Sequence, residues 1–400
     1  PRVDGAQSTW VAADAKVVAA LKAASSVVVL TRSTLGPSER AVLDGLKGAV
    51  RGFRHLVHEG AADPAVRGAL RELHGQDGLP VPDLSKARIV LSLGADFLGT
   101  DGESLGAARD FAAGRVVDGD PGAEGLSRLY VAESAMTTTG SNADHRIPVK
   151  PSQMQAFAVA LLDALGGDTP QDVPGDRAVF DALVKDLREN QGAAIVIAGD
   201  TQQPPIHAAA ALLNGALEAP GKTLRWHPEP PMQPVDAPRV IADALKAKPD
   251  VVLLLGVNPV HDFPGGGFAE LLAGAKLAVG HGQTLDETLS VCGVALPSAH
   301  NLESWNDRSP WPGVDTLVQP LIAPLYGGRQ EAESLLAWGR MLAPDASAWK
   351  DAADFHDVVK ARWQAEVLGS TDEAAWEDAL RKGIVGEMRS TTYPELRVPR

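Results

Sequence analysis

The run Lys248-Pro249-Asp250-Val251-Val252-Leu253-Leu254-Leu255-Gly256-Val257-Asn258-Pro259 constrains this chain more than any other stretch. Five apolar residues without alternation, Val251 to Leu255, describe a strand covered on both faces, as in a parallel sheet. Gly256 and Asn258-Pro259 stop it abruptly. Ligands of open α/β sheets sit at such carboxyl ends. The same phrase occurs earlier, where Val81-Pro82-Asp83 leads to Arg88-Ile89-Val90-Leu91-Ser92-Leu93-Gly94-Ala95-Asp96.

The rest of the chain repeats this grammar. Ser26 to Leu30 is an apolar strand, and Pro37 opens a helix behind it. Ala193 to Ala198 is a second such strand, and Pro204-Pro205 opens its helix. Arg128 to Ala132 and Lys276 to Val279 form a third matching pair. Strand, helix, strand, helix, strand therefore occurs twice, which predicts an α/β chain of two Rossmann-like, doubly wound subdomains. The expected blocks are residues 1–175 and 176–300, followed by a block of extended coil and helices over 301–400. Helices are expected at 153–165, 177–190, 331–342, 351–368 and 371–382, with Ser152 capping the first. Six of the eight tryptophans follow residue 300, for which core packing is the commoner reason.

Composition narrows the function. A net charge of −14 with no long basic run disfavours a nucleic-acid surface. No apolar run approaches the roughly 18–20 residues that span a bilayer. A single cysteine, Cys292, excludes an internal disulfide, a Cys-ligated iron–sulfur cluster or a Cys-rich zinc site within these residues, and it reads as a packing thiol. His55 and His58, placed on one helix face, lack further zinc ligands. Gly280-His281-Gly282 begins a glycine fingerprint without completing it. The candidate ligand groups are the polar residues around strand ends: Asp96, Glu133, Asp144, Asp200, Gln202, Asn258 and Thr284, with Ser33, Thr34, Ser134 and Gln283 beside them. Each of these residue types also caps helices and closes turns.

Several runs taken together resemble the molybdopterin oxidoreductase superfamily, the formate dehydrogenase/DMSO reductase type. They are Gly256-Val257-Asn258-Pro259, the stretch from Ala143-Asp144 to Lys150-Pro151, and Glu287-Thr288 with Leu296-Pro297 and Leu302-Glu303. Four runs are similar, more narrowly, to the large B subunit of alternative complex III, a bacterial quinol-oxidising assembly: Leu91 to Gly99, Arg128 to Ser134, Ala143 to Arg146 and Gln319 to Gly328. The resemblance implies a pterin-free, molybdopterin-like region in an electron-transport complex, with no catalytic residue, metal or cofactor of its own. It implies iron–sulfur clusters in an adjoining C-terminal part or partner subunit. Other implied partners are a multihaem cytochrome c and a quinol-binding membrane subunit, with the whole peripheral on the periplasmic side of the inner membrane. The sequence departs from the catalytic enzymes where their Pro-Gly-Thr-Asp reads Pro151-Ser152-Gln153-Met154, and where an Asp is replaced by Gly293. The alternative is a working molybdenum or tungsten bis-pterin catalytic subunit; a free-standing nucleotide-binding enzyme is a third reading.

Overall fold

The computed structural model describes residues 1–60, 64–76, 78–102, 104–116, 126–228, 235–389 and 391–396. The chain forms two compact units. Unit 1 comprises Pro1–Pro64 and Pro230–Met388, and unit 2 comprises Ala65–Glu229 and Arg389–Arg400.

In unit 1 five parallel strands lie in the order Phe53–Val57, Val27–Thr31, Val251–Leu255, Leu277–Gly282, Val294–Pro297. A short antiparallel hairpin, Arg2–Val3 and Ala6–Gln7, extends the last edge. Successive side chains of a strand point to opposite faces. Val27, Val29, Val251, Leu253 and Leu255 accordingly pack into one core with Leu21, Leu46, Trp338, Trp349, Trp363 and Trp376. Val28, Leu30, Val252 and Leu254 pack into another with Ile241, Leu245, Phe268 and Leu272. All five residues from Val251 to Leu255 are buried, as two covered faces require.

Unit 2 repeats the plan with four parallel strands in the order His145–Pro148, Arg128–Glu133, Ile89–Leu93, Ala194–Ala198. Helices Met154–Gly166, Arg177–Glu189 and Pro204–Ala216 cover one face through Phe157, Phe180 and Leu213. Val90, Val131 and Ile195 face the other core, with Phe97 and Phe111. The outer edge of Ala194–Ala198 is closed by a side chain: the buried Asn214 amide accepts from Val196 N at 2.9 Å and donates to Val196 O at 2.7 Å. That pairing mimics a neighbouring strand and removes a sticky edge.

The repeat is real, but its members are sorted differently from the expected blocks 1–175, 176–300 and 301–400. Val27–Thr31 lies beside Val251–Leu255, whereas Ala194–Ala198 lies beside Ile89–Leu93. Each central strand thus takes one flanking strand from a segment more than a hundred positions away in the sequence. The third block is not separate either. Helices Glu331–Leu342, Phe355–Arg362 and Glu373–Lys382 complete the core of unit 1 and bury Trp338, Trp363 and Trp376. Within the stretch expected to be coil, Asn306–Trp311 and Val314–Val318 form an antiparallel pair joined by Ile384–Gly386. Ser152 does not cap its helix; residues 151–153 are a turn of 3₁₀ helix, and Gln153 occupies the cap without a side-chain bond.

Candidate functional site: the strand ends of each unit

A doubly wound sheet offers a ligand site where the connections diverge to opposite sides. In unit 1 that point lies between Val27–Thr31 and Val251–Leu255; in unit 2 it lies between Ala194–Ala198 and Ile89–Leu93.

Both units leave the central strand in the same way. Gly94 and Gly256 turn the chain at φ of 65° and 67°, a region open to glycine at no steric cost. Two residues later comes a polar side chain, Asp96 or Asn258. A short helix follows the neighbouring strand in each unit, Thr138–Ser141 and Glu287–Ser290. In unit 2 Asp96 Oδ1 accepts from Thr139 N at 2.8 Å and Thr139 Oγ1 at 2.9 Å, while Thr139 Oγ1 accepts from Leu98 N at 3.0 Å. In unit 1 Asn258 Oδ1 accepts from Thr288 Oγ1 at 2.6 Å, and Thr288 Oγ1 accepts from Val260 N at 3.1 Å. Asn258 also donates to Glu287 at 2.8 Å. The same latch is thus built twice, with Asp in one unit and Asn in the other. Asp96 is only 8% exposed. Burial opposes its ionisation, but hydrogen bonds led by the Thr139 N–H and hydroxyl outweigh that and hold its carboxyl below the ordinary range.

The other candidate residues divide by location. Glu133 is buried against Arg146 Nε at 2.6 Å and the Thr137 hydroxyl at 2.7 Å. Gly140 is packed so closely on Glu133 that a Cβ there would collide with its carboxylate. Gln202 bonds Gly199 O through its backbone and lays its amide over Gly94. Ser33 is buried and donates to Glu59 at 2.9 Å. Thr34, Ser134, Gln283 and Thr284 are exposed. Asp144 belongs to the opposite end of its sheet. It precedes His145–Pro148, accepts from Leu129 N at 2.8 Å, and grips Arg115 through two bonds of 2.7 and 2.8 Å. The Arg115 hydrogen bonds hold its carboxyl low. His55 and His58 are not on a helix: His55 lies in Phe53–Val57 and bonds Thr31 at 2.8 Å, and the buried His58 meets Asp262 at 2.6 Å. Burial pushes the Cys292 thiol up to about 12, as a packing residue requires. Gly280-His281-Gly282 is strand, not turn.

Two carboxylates absent from the sequence-based candidates occupy the positions a ligand anion would take. In unit 2 Asp101 Oδ2 accepts from Asp96 N at 3.0 Å and from Asp200 N at 3.2 Å, one amide from beyond each strand of the switch point. Asp200 in turn accepts from Gly102 N at 3.2 Å. In unit 1 Asp307 lies at the start of helix Pro37–Ala49. It accepts from Ser38 N at 3.0 Å, Ser38 Oγ at 2.6 Å, Arg362 at 2.9 Å and Trp363 Nε1 at 3.2 Å, and has no exposed surface. The N-terminus of the helix after the first strand is where this architecture holds phosphate. Beside it, Arg32 and Arg308 both pair with Glu39, at 3.1 and 2.9 Å. The cavity that remains among Thr31, Arg32, Glu39, Leu255 and Glu331 measures about 10 Å³. That is the room one water needs.

A hydrogen-bonded chain seals the adjoining strand of unit 1. Arg329 Nε donates to Ser334 Oγ at 2.9 Å, and the serine meets His281 Nε2 at 2.8 Å. His281 Nδ1 meets Ser298 Oγ at 2.7 Å, and Ser298 donates to Glu331 at 2.9 Å. With Ser298 donating to Glu331, its oxygen accepts from Nδ1–H, so the ring is the neutral Nδ1–H tautomer. Complete burial, reinforced by Arg329, drops the His281 pKa to about 3.

A guanine dinucleotide with its pyrophosphate requires open backbone N–H groups and hundreds of cubic ångströms. Neither set of strand ends fits it: the amides in unit 2 are taken by Asp101 and Asp200, and in unit 1 Asp307 holds the helix start and the cavity beside Arg32 and Glu39 is only about 10 Å³.

No protein-family model matches the chain. It is 24% identical over 384 residues to the molybdopterin-binding-like subunit of menaquinone reductase from Nitratidesulfovibrio vulgaris, covering 84% of this chain and 53% of that protein. The chain therefore spans about half the length of this curated relative. Its fold superposes on acetylene hydratase from Pelobacter acetylenicus with a TM-score of 0.71 at 11% identity, over 96% of this chain and 64% of that one. It also matches the formyltransferase/hydrolase complex from Methylorubrum extorquens, with a TM-score of 0.56 at 14% identity, over 85% and 98% of the two chains. The chain thus has the parallel-sheet α/β fold of acetylene hydratase and is similar in sequence to a molybdopterin-binding-like subunit.

Proposed function

We propose that the chain is a pterin-free, structural region of a quinone-linked respiratory oxidoreductase, a complex of the alternative complex III kind. The observation that carries this reading is the self-occupied state of both sets of strand ends. Groups that would bind a nucleotide are bonded instead to the chain's own Asp101, Asp200 and Asp307. Likeness to a molybdopterin-binding-like subunit of a menaquinone reductase supports the setting. In this reading the chain positions neighbouring subunits and performs no chemistry. Iron–sulfur clusters reside in an adjoining part or partner, and a multihaem cytochrome c and a quinol-binding membrane subunit complete the electron path.

The complex sits peripherally on the periplasmic face of the inner membrane. Among the described residues no helix is long and apolar enough to cross a membrane, so docking in this reading goes through partner subunits. The test is elemental analysis of the purified complex. Molybdenum and tungsten are expected to be absent from this chain, and either metal at one equivalent would replace the proposal with a catalytic bis-pterin subunit.

A further inference from the structure

We propose that residues 319–328 of unit 1 are a preformed docking ridge for a different protein subunit, one that presents an apolar groove edged by arginine or lysine. The proposal rests on the reading of the chain as a positioning region within a complex, and it names the surface through which one neighbour is held.

Seven consecutive residues, Leu321 to Gly327, are exposed. Four of them are large and apolar: Leu321 is 76% exposed, Ile322 46%, Leu325 66% and Tyr326 93%. The half-exposed Leu302 lies against them, since its carbonyl accepts from Leu321 N at 2.8 Å and Ile322 N at 3.1 Å. Exposed apolar runs of this length are avoided on surfaces that meet only water. The backbone beneath is nonetheless held at short intervals. Leu325 N donates to Glu303 Oε1 at 3.1 Å, Trp10 Nε1 donates to Gly327 O at 3.0 Å, and Arg329 N donates to Pro297 O at 3.1 Å. Gly328 is packed so closely that a Cβ would collide with Ser298 O. Pro320 and Pro324 fix two further φ angles. The main chain is thus tied inward while the side chains face outward, which lowers the ordering cost of binding.

Area and charge together decide what covers the ridge. Five side chains of this size present on the order of 600 Å², most of the roughly 800 Å² that one partner contributes to a standard protein interface. A small molecule would leave much of that area in water. The segment 283–329 contains no lysine, and its two arginines are committed elsewhere, Arg308 to Glu39 at 2.9 Å and Arg329 to Asp14 at 2.6 Å. Glu303, beneath the ridge, accepts from His300 N at 2.9 Å as well as from Leu325 N, and these bonds hold its carboxyl below the ordinary range. A second copy would bring the same acidity and the same net charge of −14, and an anionic lipid surface would repel both. A groove with basic edges complements the ridge, taking the apolar side chains inside and meeting Glu303 at its rim. Tyr326 is the anchor, because a large amphipathic ring with few rotamers is where binding energy concentrates.

The test is hydroxyl-radical footprinting of the purified complex beside the isolated chain. Leu321, Leu325 and Tyr326 are expected to react about tenfold more slowly in the complex, because anchor residues of an interface are fully desolvated. Equal reactivity in the two samples overturns the proposal. The triple variant Leu321→Ser/Leu325→Ser/Tyr326→Ser should keep the wild-type melting temperature, since it removes only exposed side chains, and should bind the remaining subunits at least about tenfold more weakly. A folded variant that assembles like wild type overturns the proposal; if the variant does not fold, the wild-type footprint decides alone. Glu303→Gln should weaken assembly about threefold at low salt, and no change there overturns the basic-edged groove. A dimer of the isolated chain that the triple variant loses would make the occupant a second copy and overturn the proposal. Tyr326-dependent binding to vesicles of phosphatidylethanolamine and phosphatidylglycerol would overturn it in favour of a lipid surface. Molybdenum or tungsten in the complex would instead defeat the pterin-free reading and leave the ridge standing, so the two failures are read from different measurements.

Discussion

Unit 1 closes its strand ends with a carboxylate from a distant segment, and unit 2 closes them with one from the adjacent loop. Asp307 comes from the antiparallel Asn306–Trp311 strand, hundreds of residues after the helix it meets, and is locked by Ser38, Arg362 and Trp363. Asp101 lies eight positions beyond the strand Ile89–Leu93 whose end it helps to close. The scaffold is otherwise shared, down to the latch of Asp96 with Thr139 and of Asn258 with Thr288. Strand ends can therefore be closed in two ways on one architecture. One builds the occupant into the core and becomes indispensable; the other leaves it at the surface.

That difference sets the size of the mutational effects. Asp307→Ala should be the most damaging change, because it leaves the Ser38 donors and the Trp363 indole N–H without their acceptor in a buried site and removes one of the partners of Arg362. A loss of about 3–5 kcal/mol is expected in denaturant unfolding. Asp101→Ala should cost only about 1 kcal/mol, since water can reach the released amides. Equal losses at the two positions would erase the distinction. Thr139→Val and Thr288→Val should each cost about 1–2 kcal/mol if the two latches are equivalent. A cost confined to one unit would show that the duplication is only of shape.

Acid sharpens the same contrast. His281 in unit 1 has a folded pKa depressed to about 3, so as pH falls below its ordinary value of about 6.5 the unfolded chain gains a proton first. Its contribution is complete above that value and is lost progressively down to about pH 3, at up to about 1.4 kcal/mol per pH unit. His281→Asn should flatten the stability profile over this window. Asp96 in unit 2 is also depressed, and for a carboxyl the loss begins only below about pH 4. The smallest effects are expected at the exposed tips: Thr34→Ala and Thr284→Ala should change stability by less than about 0.5 kcal/mol.

The strands themselves were plain in the sequence, because Val251 to Leu255 and Ile89 to Leu93 carry unbroken apolar runs ended by glycine. Their matching with Val27–Thr31, Ala194–Ala198, Arg128–Glu133 and Leu277–Gly282 was also legible from the repeated strand–turn–Pro–helix phrase. Which strand lies beside which was not. Parallel strands buried on both faces look alike, and their neighbours are decided by how distant helices pack. Asp144, one of the crevice candidates, immediately precedes a strand, a position that puts it at the amino edge of its sheet. Asn306–Trp311 and Val314–Val318 escaped notice because Asp307, Ser309 and Pro310 break the apolar alternation, and the pairing contains an irregularity between Arg308 and Trp311. Asp101 and Asp307 went unmarked for a related reason. A carboxylate that serves as an internal ligand is identified by the amides it meets, and those lie on other segments.

The central claim is that both sets of strand ends are filled by the chain's own side chains. Calorimetric titration of the purified wild-type protein with guanosine diphosphate, which carries a guanine and a pyrophosphate, tests it most directly. No saturable heat is expected up to millimolar nucleotide; saturable binding at micromolar nucleotide, to either unit, would contradict the account.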